Sequence, residues 1–431
     1  MIISDDHRWC DSKTYGNNDV HMPNLDQLAA DGMRFDGYYT PAPICAPARM
    51  ALYSGVYPVR NGGYPNHSRS HEGMRSMVHH LGGLGYRVGL HGKKHFGPES
   101  VYSFEKVDDV KGFIERDSEE PFCLVIATKY PHTPWGECLR EHYDQDRIGL
   151  APNLIDTPLS RDGLSRYYSD LTRLDQQIGE YVDYVDNSGN AENTIVIYTS
   201  DHGHQFPGAK WTCYEPGLKV PFVIRWPDRI RPGAANTALT QHVDVLPTLI
   251  EAAGGEPASI DTGRAGAEDG GTGFDGRSFL AVLSGGKAGH RDYVYGVNTQ
   301  EGTINGLPYP IRSVCSGSHK YIRNYCNESE YRNVITGTSE NRYANNYWQE
   351  WLEAAETDDQ ASFLVERYLH RPPEELYDLE QDPWELDNRI DDENLADIKE
   401  ELEQQLAKWM DQQGDRGLET EMLASTRQGA A

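Results

Sequence analysis

This chain is poor in three things, and each shortage narrows what it does. No apolar run in its 431 residues approaches the roughly 20 needed to cross a bilayer as a helix. Its seven cysteines include no Cys-x-x-Cys pair, so neither a zinc site nor a dense disulfide framework is indicated. Basic residues are scarce: 40 Lys and Arg face 67 Asp and Glu, for a formal net charge of −27. That balance argues against nucleic acid, whose phosphates would be repelled. An acidic small substrate remains admissible, because the Debye length is only about 8 Å at physiological salt and a local cationic pocket can prevail. Arginine outnumbers lysine among the few bases, which suits either a protein of a saline habitat or an ordinary acidic one; a melting temperature that falls as KCl rises toward molar excludes the first. No secretory signal is expected from these opening residues, which read as an apolar strand, and the compartment stays open.

What is present is organised around Cys45-Ala46-Pro47-Ala48-Arg49, continuing to Ser54-Gly55. Pro47 suits the first turn of a helix and Gly55 its left-handed end, which places Cys45 at the helix N-terminus. Free backbone N–H groups and the helix dipole favour an anion there, and Arg49 adds a full charge one turn on. Elsewhere, short apolar runs end in polar clusters. Ile2-Ile3 leads into Asp5-Asp6-His7, and Thr194 to Tyr198 leads into Ser200-Asp201-His202-Gly203. In an open α/β sheet, ligand sites lie at the carboxyl ends of strands, where these acids fall. Helices are expected from Pro23 to Gly32, with proline at its start and glycine at its end, and from Tyr167 to Val185, with Leu171, Leu174, Ile178 and Val182 on one face.

The Cys-x-Pro-x-Arg pattern with its small, apolar continuation resembles the signature of the type I sulfatases, and further motifs follow in that family's order. The resemblance implies an alkaline-phosphatase-like α/β fold: a large mixed central sheet flanked by helices, with a smaller C-terminal α+β domain containing an antiparallel sheet. It implies that Cys45 is oxidised to formylglycine (3-oxoalanine) by a formylglycine-generating enzyme, and that its hydrate supplies the nucleophile. Asp5, Asp6, Cys45, Asp201 and His202 are the implied metal set. Calcium is expected first, with magnesium or manganese open, since His202 stands where many relatives have asparagine and imidazole shifts preference toward manganese or zinc. His202 equally fits a hydrogen bond to the aldehyde hydrate. Lys93 and His95, in Gly92-Lys93-Lys94-His95-Phe96-Gly97, and Lys210, in Lys210-Trp211-Thr212-Cys213-Tyr214-Glu215, are implied sulfate contacts beside Arg49. His132, within Pro131-His132-Thr133-Pro134, or His95 is the implied acid for the leaving atom, and His67 and Lys94 are candidate substrate contacts at the pocket mouth.

The stretch from Gly92 to Tyr102 further resembles N-sulfoglucosamine sulfohydrolases, so a sulfated sugar, with N-sulfoglucosamine first, is the expected substrate. Two other readings stay open: a phosphonate monoester or phosphodiester hydrolase of the same superfamily, and an unmatured, non-catalytic sugar-binding protein. The catalytic domain is expected over 1–285 and the smaller one over 286–431, joined through a glycine-rich linker from Ala253 to His290. Strands of the smaller sheet are expected around Tyr293, Ile311 and Lys320, and a docking helix carries Leu395, Ile398, Leu402, Leu406 and Trp409 on one stripe. The family carries several residues upstream of Met1-Ile2-Ile3, so a trimmed or misassigned start is expected.

Overall fold

The computed structural model describes residues 1–116, 119–267, 270–303, 306–337 and 347–428. Ten short strands belong to its first part: β1 (Ile2–Ser4), β2 (Met33–Phe35), β3 (Tyr38–Tyr39), β4 (Arg87–Gly92), β5 (Glu105–Lys106), β6 (Phe122–Ala127), β7 (Val196–Ser200), β8 (Phe222–Arg225), β9 (Ala234–Asn236) and β10 (Thr240–Gln241). Eight of them form one sheet in the order β5-β4-β6-β1-β7-β8-β2-β9, while β3 and β10 pair separately. From β5 to β7 the sheet is parallel, and β8 runs antiparallel to both β7 and β2. The central strands are almost continuously apolar because helices cover both faces.

Ile2 and Ile3 show this division, since alternate residues of a strand face opposite ways. Ile2 packs with Leu124, Ile126, Leu171, Leu174 and Ile178 under the long helix Pro158–Asp186. Ile3 packs on the other face with Met50, Leu81, Val125, Ile197 and Ile250. Each such side chain contributes roughly 1.5–3 kcal/mol by leaving water. The long helix begins well before the expected Tyr167: Pro158 occupies its first turn, and the Thr157 hydroxyl caps it by accepting the Ser160 N–H at 3.2 Å. Just after the Lys210 segment, a short helix, Glu215–Leu218, precedes strand β8.

In the second part, β11 (Val294–Asn298), β12 (Ile311–Cys315), β13 (His319–Asn324) and β14 (Glu374–Asp378) form an antiparallel meander. The helix Ala396–Gln413 lies on it, with Leu402, Leu406 and Trp409 packed against Val297, Val314, Tyr321 and Leu376. The glycine-rich segment expected as a linker is packed against the first part. Asp275 is ion-paired with Arg60 at 2.7 Å, and the Phe274 ring lies so close to Gly55 that a Cβ there would come within 2.7 Å of it. Among the described residues no helix is long and apolar enough to cross a membrane, and every cysteine is free.

Candidate active site

β1 and β7 are parallel neighbours, with Ser4 opposite Ser200, so the acids that follow each strand emerge side by side. The Asp6 N–H donates to Asp201 Oδ1 at 3.1 Å, and the His202 N–H donates to the same oxygen at 2.9 Å. Asp6 adopts a positive φ of 76°, a conformation in which a non-glycine residue persists only when its surroundings hold it. Asp5, Asp6 and Asp201 are each 1% exposed or less. Three carboxylates buried together are costly unless cations meet them.

Those cations converge from three other segments. Cys45–Ser54 is the expected helix, and Gly55, at φ 67°, ends it in the left-handed region. Arg49 Nε donates to Asp201 Oδ2 at 3.0 Å, and Arg49 Nη2 lies 3.5 Å from Asp5. Lys93, just beyond β4, donates to both Asp5 oxygens at 2.9 and 2.7 Å. Lys210 does the same to Asp6, also at 2.9 and 2.7 Å. Cys45 Sγ lies 3.6 Å from Asp5 and 3.2 Å from His202 Nε2, which is itself 3.3 Å from Asp6. His202 therefore stands between the sulfur and a carboxylate, and both of its expected roles remain compatible with its position.

Burial opposes the Cys45 thiolate, yet Lys210, Lys93 and His202 together hold the thiol well below its usual range. Burial likewise opposes charge on His202, but Asp201, Cys45 and Asp6 raise its pKa to about 9. Asp201 is driven up to about 6 by burial, against His202 and Arg49 and with the help of Asp5 and Cys45. For Asp5 the balance reverses: Lys93 and Arg49 outweigh burial and hold it below the ordinary carboxylate range. His132 is raised, because Asp6, Cys45 and Asp5 outweigh burial and Lys210.

Asp5, Asp6, Cys45 and His132 each offer a ligand atom within 4.8 Å of one another, as do Cys45, Asp201 and His202. Three of these six donors, Asp5, Asp6 and Asp201, are carboxylates, which suit a hard divalent cation of the calcium or magnesium type, while the imidazoles of His132 and His202 suit a softer one. His95 and His67 form a separate pair at the surface, with His95 Nε2 3.0 Å from His67 Nδ1 and both residues at positive φ. Cys45 and Lys93 are close enough to influence the charge of His67. Lys94 instead turns outward, 55% exposed, with its ammonium 3.8 Å from Glu99. Sequence reasoning overlooked His242, a buried ring bracketed by Tyr38 OH at 3.0 Å and the Asp201 carbonyl at 3.2 Å. Nothing local to Gln241-His242-Val243 marks it, since its partners lie far away in sequence.

Comparison with known proteins gives this geometry its context. The family model described as Sulfatase matches residues 1–113 and 104–255. An ulvan-active sulfatase of Formosa agariphila is 33% identical over 434 residues, covering 96% of this chain and 80% of the relative. The human N-sulphoglucosamine sulphohydrolase is 25% identical over 468 residues, covering 95% of this chain and 89% of the relative. A solved structure of a protein in complex with its substrate D-glucosamine-2-N,6-O-disulfate aligns with a TM-score of 0.67 at 19% identity, over 96% of this chain and 98% of that one, a likeness of fold. By the extent of the family match and of the ulvan-active relative, this chain belongs to the sulfatase family and is a hydrolase of sulfuric esters.

Proposed function

We propose that this chain removes sulfate from a sulfated saccharide, using formylglycine made from Cys45 by a maturing enzyme and calcium held by Asp5, Asp6 and Asp201, with His202 beside them. One observation carries the reading: Cys45 stands at a helix N-terminus, 3.6 Å from Asp5, amid cations that already meet carboxylates through Arg49, Lys93 and Lys210. When present, the hydrated aldehyde supplies the attacking oxygen, and the metal lowers that oxygen's pKa and draws charge from the sulfate. The chain's own side chains do the rest. Lys93, Lys210 and Arg49 neutralise the sulfate oxygens, whose charge otherwise repels a nucleophile and must be met in the transition state. His132, or His95 from the rim, delivers a proton to the departing oxygen or nitrogen. His67, paired with His95 at the rim, faces the sugar.

N-sulfoglucosamine is the preferred substrate. The Gly92–Tyr102 stretch supports it, as does the sulphohydrolase relative; the ulvan-active relative brings a second sulfated polysaccharide into range. The test is sulfate release by verified formylglycine-containing protein, with calcium, from three substrates: N-sulfoglucosamine, 6-O-sulfated N-acetylglucosamine and ulvan oligosaccharides. Release from N-sulfoglucosamine alone is expected. Release only from one of the others overturns the substrate and keeps the chemistry, whereas a phosphonate monoester cleaved faster than all three overturns the sulfatase reading.

A further inference from the structure

Lys210 rides on a loop between Gly203 and Glu215 that the second part of the molecule grips at four points. Tyr347 donates its hydroxyl to the Gln205 carbonyl at 2.7 Å, and Tyr331 donates its own to the Trp211 carbonyl. Tyr214 donates to Glu375 at 2.7 Å, and the Glu215 carboxylate meets Lys320 at 2.6 Å. The grip at Trp211 lies next to the functional lysine. Trp211 sits at φ 67°, a left-handed conformation that a bulky residue adopts only under constraint. Its N–H donates to the Pro43 carbonyl at 2.8 Å, in the segment that leads to Cys45. The residue after Lys210 is thus tied on its N–H side to the cysteine segment and on its carbonyl side to Tyr331. Tyr331 cannot yield easily, since its ring is set edge-on to Tyr309 and Tyr368, with the Arg371 guanidinium 4.1 Å from its centre.

We propose that Tyr331, seconded by Tyr347, is a positioning residue: it fixes the strained Trp211 peptide so that the Lys210 ammonium reaches the sulfate. This deepens the function proposed above and rests on the role given there to Lys210. The probe is inorganic sulfate, titrated calorimetrically into the calcium-loaded protein. Tyr331→Phe weakens sulfate binding about five-fold, the equivalent of one ordinary hydrogen bond. Lys210→Ala weakens it more. The double variant weakens it no further than Lys210→Ala alone, because Tyr331 acts through Lys210. Tyr368→Phe is the control, since its hydroxyl accepts from Asn333 at 2.9 Å in the same aromatic cluster; it leaves sulfate affinity unchanged even where it lowers the melting temperature.

Wild-type sulfate affinity in Tyr331→Phe, full additivity in the double variant, or an equal loss in Tyr368→Phe each overturns the inference. If Lys210→Ala itself binds sulfate normally, the role of Lys210 falls and the inference with it; if Lys210→Ala is weakened and Tyr331→Phe is not, the inference falls alone. Should Tyr331→Phe fail to fold, Tyr347→Phe carries the same cycle from the Gln205 side of the loop.

Discussion

Two buried cysteines in this molecule each stand among lysine and carboxylate, and the protein drives them in opposite directions. Cys45 and Cys315 are equally hidden, at 3% and 2% exposure. Lys210, Lys93 and His202 overcome the burial of Cys45 and favour its thiolate, whereas burial and Glu215, against Lys320, push the Cys315 thiol up to about 11. The difference lies in how the cations are shared. Around Cys45, lysines approach from two separate segments, and Lys93 keeps 18% of its side chain exposed. Beside Cys315, the wholly buried Lys320 is claimed by Glu215 at 2.6 Å and Glu385 at 3.1 Å. Beside Cys45, Arg49, Lys93, Lys210 and His202 meet the three carboxylates Asp5, Asp6 and Asp201, whereas Lys320 alone meets Glu215 and Glu385.

The sharpest way to break the comparison is to exchange the sulfurs. Cys45→Ser is expected to lower steady turnover by about three orders of magnitude or more while the protein folds normally, since a serine cannot form the second hydroxyl of a hydrate. Cys315→Ser keeps turnover within about two-fold, because its site touches no substrate. Sulfate release and a melting curve on each variant decide the matter, and multiple turnover by Cys45→Ser refutes the hydrate chemistry. Next in size is the metal. Asp201→Asn is expected to raise the calcium needed for half-maximal activity by at least about a hundred-fold, the upper range that loss of a ligand's own hydrogen-bond partner reaches, read from activity after chelation and stepwise calcium return. An unchanged requirement removes Asp201 from the metal set.

The inner cluster is tested by stability. Lys320→Met leaves Glu215 and Glu385 buried without their shared cation, and is expected to cost about 3–5 kcal/mol in urea unfolding. Lys93→Met is expected to cost less stability, because its partly exposed charge is screened, yet more sulfate affinity. The reverse ranking would erase the distinction between the two clusters. The smallest effect is in pH. Burial and Glu215, against Lys320, raise Glu385 from its ordinary 4.5 to about 7. The folded chain therefore holds a proton there that the unfolded chain releases, so this stabilising contribution is full below about pH 4.5 and is lost as pH rises through 7. Glu385→Gln is expected to flatten the decline in melting temperature across that window, and an unaltered slope rules the group out.

The site was legible in the sequence because its donors sit where local rules place them. Pro47 and Gly55 bound the cysteine helix, and the acids follow apolar runs that form neighbouring strands. What escaped was held by partners distant in sequence. His242, Tyr331 and Lys320 carry no local signature, and only the folded chain brings them to Asp201, Trp211 and Glu215. The early turns of the Pro158–Asp186 helix were missed because Ser160, Arg161, Asp162 and Gly163 interrupt the apolar spacing, although Thr157 and Pro158 together signal a helix start. The glycine-rich segment read as a linker because periodicity cannot register an ion pair such as Arg60–Asp275.

The parallel register of β1 and β7 has a consequence for how the molecule comes into being. Asp6 and Asp201 meet across 195 residues of chain, with the cysteine helix, the Lys93 turn and the longest helix all lying between them in sequence. Closing so large a loop is entropically expensive, and contacts of that span form slowly. A nascent chain that has not yet emerged past β7 carries the cysteine motif and the first pair of acids, but no chamber to put them in. Assembly of the chamber therefore waits on the pairing of β7 with β1.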